Sequence, residues 1–93
     1  MSECIIHGEA MLDRATAHAE LARALGFPEY YGRNLDALWD LLTEMDAEAV
    51  FTDRSGVLER LGEYGEAMIS TIEEAAAENS GLHIRFIETE DGK

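Results

Sequence analysis

The chain has 93 residues, 46% of them hydrophobic, which is enough for one domain with a modest core. Twenty acidic residues against seven basic ones leave a net charge of -13. That field repels nucleic acid and anionic membrane surfaces, and it favours a basic protein partner by speeding the encounter.

Cys4 to His7 is expected as a first strand. Cys4 is the only cysteine, so an intramolecular disulfide is excluded, and beside Ile5 and Ile6 it reads as a buried, inert thiol. Asp13 is placed to N-cap a helix running to about Leu25, with Leu21 and Leu25 inward and His18 a turn before. Gly26 and then Pro28 stop that helix. Asn34 caps the next helix, expected to end near Met45, and Ala49-Val50-Phe51 follows as a second strand. Asp53 or Ser55 opens a short helix through Val57, Leu58 and Leu61, closed by Gly62. A longer helix then runs from about Gly65 to Glu78, with Ile69, Ile72 and Ala76 as its inner stripe and Asn79-Ser80-Gly81 as its end. His83 to Ile87 is the third strand, and the residues from Glu88 to Lys93 read as solvated.

Strands separated by roughly 30 residues of helix pair in parallel through right-handed crossovers. The expected fold is therefore an α/β domain over residues 1–88, a three-stranded parallel sheet packed with about four helices, with 89–93 as a tail. No repeat or linker divides it. No signal peptide opens the chain and no segment approaches a membrane span, so a reducing cytoplasm is the expected compartment.

The densest information lies in Tyr30-Tyr31-Gly32-Arg33-Asn34-Leu35-Asp36-Ala37-Leu38-Trp39-Asp40-Leu41-Leu42, a turn feeding a helix. At about 100° per residue, Leu35, Leu38, Trp39, Leu42 and Met45 share one side, and Asp36, Asp40 and Thr43 fall on the flank beside Trp39. Like charges at i and i+4 repel by a few tenths of a kcal/mol, so helix stability does not call for this pair. Either solvent screens it, or something basic docks there. The acids are also bunched: no Lys or Arg lies between Arg33 and Arg54, nor between Arg60 and Arg85, where Glu73, Glu74 and Glu78 stand. Composition alone reads such runs as solubility.

Enzyme and metal readings find little support. Paired carboxylates acting as acid and base need one of them raised in a pocket, whereas these lie on an outer flank. No nucleophile elbow, glycine-rich phosphate loop or zinc motif accompanies them, and His7, His18 and His83 lack ligand spacing. Neither a metal nor a cofactor is expected.

The run Phe27-Pro28-Glu29-Tyr30-Tyr31-Gly32 with Asn34-Leu35-Asp36-Ala37-Leu38-Trp39-Asp40 closely resembles barstar, the intracellular inhibitor of the extracellular ribonuclease barnase, and the order of elements matches from about Ile5 to Phe86. The resemblance implies a monomeric ribonuclease inhibitor or immunity protein that forms a 1:1 complex and plugs a toxic nuclease. It implies a binding surface made of the loop and helix from Tyr30 to Thr43 and the outer flank of the later helix. Tyr30 and Tyr31 match paired tyrosines that pack on the enzyme, and Gly32 and Asn34 match loop positions that reach it. Asp36 and Asp40 match an acidic pair, Asp40 being the one that enters the nuclease's cationic phosphate pocket. Thr43 matches a polar contact at the helix end, Glu74 an acidic contact on the later helix, and Glu78 a more peripheral one. Trp39 and His18 match supporting positions more than contacts.

Arg33 stands where the resemblance leads one to expect an acid, and Glu44-Met45 replaces a small residue and a tryptophan. Those departures bear on which nuclease is bound. A different toxin with a basic cleft, or a barstar-like interaction module that inhibits nothing, would carry the same fold and acidic face.

Overall fold

The structure is a computed structural model that describes residues 3–88. The strands are β1 (Glu3–Ile6), β2 (Ala47–Phe51) and β3 (Leu82–Phe86); the helices are α1 (Arg14–Leu25), α2 (Leu35–Leu42) and α3 (Arg54–Glu78), and Gly8–Ala10 forms a 3-10 turn. The sheet order is β1-β2-β3 and both pairings are parallel, with Ile6 beside Phe51 and Phe51 beside Phe86. The expected α/β architecture and parallel sheet are therefore present. The expected tail, 89–93, lies outside the described residues.

The strand order is 1-2-3, and crossovers of the right hand that parallel strands almost always take carry both helical layers to the same side of such a sheet. The strands show the result. Ile6, Ala47, Ala49, Phe51 and Leu82 are buried toward the helices, while Glu3, Glu48, His83 and Arg85 on the opposite face are exposed. The core joins those strand residues to Leu21, Leu38, Leu42, Met68 and Ile72, and the Phe51 and Phe86 rings meet at 5.2 Å.

Three α-helices form, not about four. The two helical segments expected on either side of Gly62 are both present and are counted as the one element α3; Gly62, with φ 59 and ψ -131, is non-helical and kinks the chain between them. Its missing Cβ opens that backbone region at little cost. The buried stripe beyond it is Met68, Ile69, Ile72 and Ala75, with Ala76 only half-buried. Asp53, at the start of α3, holds a left-handed φ of 58 and makes no side-chain cap bond, but it takes an ion pair from Arg60 at 3.1 Å.

Helix α2 stops at Leu42, short of the expected Met45. Thr43 closes it: its N–H donates to the Trp39 carbonyl at 2.9 Å, and its hydroxyl donates to the same carbonyl at 2.9 Å and to that of Asp40 at 3.2 Å. The strands β1 and β3 each begin and end one residue before the expected positions. Among the described residues no helix is long and apolar enough to cross a membrane.

Candidate partner-binding face

The loop between α1 and α2 is held at both ends by local chemistry. Gly26 takes the left-handed cap at φ 71, and its N–H donates to the Ala22 carbonyl at 2.9 Å. The Tyr31 N–H then closes a turn on the Pro28 carbonyl at 3.0 Å. At the far end the Asn34 side-chain oxygen accepts from the Ala37 N–H at 2.7 Å, while its amide group donates weakly to the Gly32 carbonyl at 3.4 Å. The Asn34 side chain is thus committed to capping α2 and bracing the loop. Gly32 is exposed, and a Cβ added there would sit 3.2 Å from the Asn34 amide nitrogen.

The two tyrosines part company. Tyr30 is 85% exposed, whereas Tyr31 is 7% exposed and turns inward under the loop. The Tyr31 ring packs on Phe27 at 4.7 Å, and its hydroxyl lies 2.6 Å from Nδ1 of His18. On the other side, Nε2 of His18 lies 2.6 Å from the Tyr64 hydroxyl, and the Arg14 guanidinium stands 4.2 Å over the Tyr64 ring. A neutral imidazole has one donor and one acceptor, so it bonds both hydroxyls, taking a proton from one and giving one to the other. Burial, then the nearby Arg14 and Arg33 charges, push the His18 pKa below its ordinary value of 6.5, so the neutral form dominates at pH 7. Burial also raises the Tyr31 phenol. His18 is 1% exposed and contributes by positioning, as a rivet between α1, the loop and α3.

Helix α2 presents the acids. Leu38 and Leu42 are fully buried and Trp39 is half-buried against the core, which turns Asp36 and Asp40 outward. Both carboxylates are exposed, and neither has a hydrogen bond or ion pair among the described residues. Helix α3 runs alongside in the same direction: Tyr64 shares His18 with Tyr31 at one end, and Asn79 reaches the end of α2 at the other. There the Asn79 amide donates to the carbonyls of Leu42 at 2.9 Å and Met45 at 2.7 Å. Glu74 and Glu78, in the last turns of α3, are exposed and likewise unpaired among the described residues. Thr43 is half-buried, its hydroxyl already bonded to the backbone of α2.

Most cations are held elsewhere. Arg23 pairs with Glu20 at 2.6 Å, Arg54 with Glu73 at 3.8 Å, Arg60 with Asp53 and Arg85 with Glu3 at 3.5 Å. Arg14 has only its contact with the Tyr64 ring, and Arg33, exposed and at a left-handed φ of 58, has neither an ion pair nor a ring contact among the described residues. A side chain other than glycine held in that region costs of order 1 kcal/mol. Among the described residues no group of His, Cys, Asp and Glu is placed to hold a metal.

Sequence reading found the Asn34 cap and the outward flank of Asp36 and Asp40, but missed Tyr64 as His18's second partner and Asn79 as the bolt between α2 and α3. Those contacts span 46 and 37 positions, beyond the reach of any local periodicity. The chain is 37% identical over 81 residues to the Bacillus subtilis (strain 168) protein named "Putative ribonuclease inhibitor YrdF", a match covering 84% of this chain and 89% of that one. Residues 1–87 match the family described as Barstar (barnase inhibitor), and the chain belongs to that family.

Proposed function

We propose that this protein is a non-enzymatic inhibitor of a basic ribonuclease, acting in the cytoplasm as a monomer that occludes the enzyme's active site in a 1:1 complex. The observation that carries the reading is Asp36 and Asp40 on α2, exposed and without a partner among the described residues, beside a second acidic pair, Glu74 and Glu78, on α3. Ribonuclease active sites concentrate Arg, Lys and His to hold phosphate, and carboxylates accept charge-assisted, sometimes bidentate hydrogen bonds from those groups. Asp36 and Asp40 stand in for RNA phosphates, Asp40 entering the phosphate pocket. Tyr30 supplies an aromatic anchor, Gly32 and Asn34 offer loop backbone, and Thr43, Glu74 and Glu78 extend the contact. Tyr31, Trp39 and His18 keep the surface rigid, which limits the ordering cost of binding. The family membership and the relative's name support the inhibitor role.

Titration of the protein into a barnase-type ribonuclease, reading RNA cleavage, tests this. An equimolar end point is expected, with association slowing as salt rises. Removing one partner of a buried ion pair costs about 3–5 kcal/mol, so Asp40→Ala is expected to weaken inhibition by at least about a hundredfold. Full-strength inhibition by Asp40→Ala would overturn the assignment of the central contact. No inhibition by excess folded protein would exclude that enzyme. Arg33 favours a second reading of partner choice: an unpaired cation in the loop fits a nuclease, or another toxin with a basic cleft, that carries an acid at its rim.

A further inference from the structure

The proposed contacts make no use of the charge on His18, yet its ring joins three parts of the molecule. Helix α1 carries it, Tyr31 meets it from the loop, and Tyr64 meets it from α3. Burial decides which way the protons run. Tyr31 is buried, and no second acceptor for its hydroxyl lies among the described residues, so that hydroxyl donates to Nδ1. The Nε2–H then donates to the Tyr64 oxygen, and Tyr64, half-buried, hands its own proton to water. The neutral ring satisfies both phenols.

A second proton turns Nδ1 from acceptor into donor. The Tyr31 hydroxyl is then left with nothing to donate to, the costly state for a buried polar group. The groups facing the ring push the same way. Arg14 on α1 and Arg33 in the loop add positive charge, the two phenols are neutral, and no carboxylate lies within ion-pair distance among the described residues. Tyr31 is also what seats the loop, through its ring on Phe27 and its N–H on the Pro28 carbonyl, and its neighbours are Tyr30, Gly32, Arg33 and Asn34. We propose that His18 is a pH-sensitive latch: protonation of its imidazole frees Tyr31, loosens the loop from Tyr30 to Asn34 and releases the partner. This regulation rests on the inhibitor reading of that loop. Acid and partner compete, because the competent loop is the one whose ring is neutral. Affinity therefore falls about tenfold per pH unit below the midpoint of the folded ring. Burial, then the two arginines, hold that midpoint under the ordinary 6.5.

Two measurements test the latch. NMR on the free protein, from about pH 8 down to the onset of global unfolding, follows the His18 ring and the amides of Tyr30 to Asn34 together. The ring is expected to titrate below 6.5 while the fold persists, with the loop amides shifting at the same midpoint. Tyr31→Phe keeps the titrating ring but removes the phenol, so the ring should still titrate and the loop amides should no longer follow. Inhibition of a barnase-type ribonuclease at falling pH then compares the native protein with His18→Gln, whose side chain does not titrate. Below the midpoint the native protein is expected to lose affinity about tenfold per pH unit relative to His18→Gln, the enzyme's own titration cancelling in the ratio. Loop amides that stay fixed while the ring titrates would overturn the latch. So would a ring that takes its proton only when the whole fold is lost, or parallel affinity profiles for native protein and His18→Gln. No inhibition at any pH would instead fault the inhibitor reading for that enzyme. The free-protein titration still decides the latch in that case, since fixed amides refute it and Tyr31-dependent shifts uphold it.

Discussion

His18→Leu isolates the rivet beneath the binding loop. The substitution keeps a similar volume at a site that is 1% exposed and removes two hydrogen bonds, each 2.6 Å long. Tyr31 is buried, so its hydroxyl is left without a partner, a loss of about 1–3 kcal/mol. Tyr64 is half-buried and can turn to water, so its net loss is nearer 1 kcal/mol. The sum is about 2–4 kcal/mol, readable by urea unfolding followed through the fluorescence of Trp39. Tyr31→Phe closes a cycle: in the native background it strands one imidazole nitrogen, but in the His18→Leu background it removes a hydroxyl that is already orphaned. The double variant is therefore expected to be more stable than the sum of the singles implies, by about 1 kcal/mol.

The same pair of proteins separates in pH. Burial and the Arg14 and Arg33 charges lower the His18 pKa, so the unfolded chain takes up its proton near 6.5 while the folded chain still resists it. Stability from this source is complete above that pH, declines as pH falls through 6.5, and levels off once the folded histidine is protonated too. His18→Leu should show no such decline. Additive single and double variants, or an unchanged pH profile in His18→Leu, would refute the network as the source of the loop's rigidity.

Asn79→Ala removes both donations to the end of α2 and is expected to cost about 1–3 kcal/mol; chemical denaturation measures it, and nuclease inhibition should weaken as α2 and α3 lose their alignment. Gly62→Ala places a Cβ on a backbone with φ 59 and ψ -131 but with nothing within 4 Å, so the loss, about 1–3 kcal/mol, is backbone strain alone. A thermal scan of Gly62→Ala that matches the native protein would show that the bend relaxes into ordinary helix.

Local signals were legible where the partner lies within a few residues. Asp13 caps α1 through Thr16, three positions on, and Asn34 caps α2 through Ala37. Gly26 ends α1 in the left-handed conformation that its sequence position implies. The apolar stripe of α2 likewise decided that Asp36 and Asp40 would face out, because Leu38 and Leu42 had to face in. Gly62 breaks the helical backbone of α3 as its position implies, and the sequence did not show that the two segments would stay joined as one kinked element, with Val57 on one side and Gly65 and Met68 on the other buried against the core.

What the sequence by itself determined is the alternation of strands and helices, the caps, the acidity and the outward flank of α2. All of these depend on propensities and hydrogen bonds spanning a turn or less, or on composition. Only the tertiary structure decided that Tyr30 would be exposed and Tyr31 buried, that His18 would bind two tyrosines 13 and 46 positions away, and that Asn79 would tie the end of α3 to that of α2. Those outcomes depend on which elements meet across the core, and chain separation hides that from any reading of neighbouring residues.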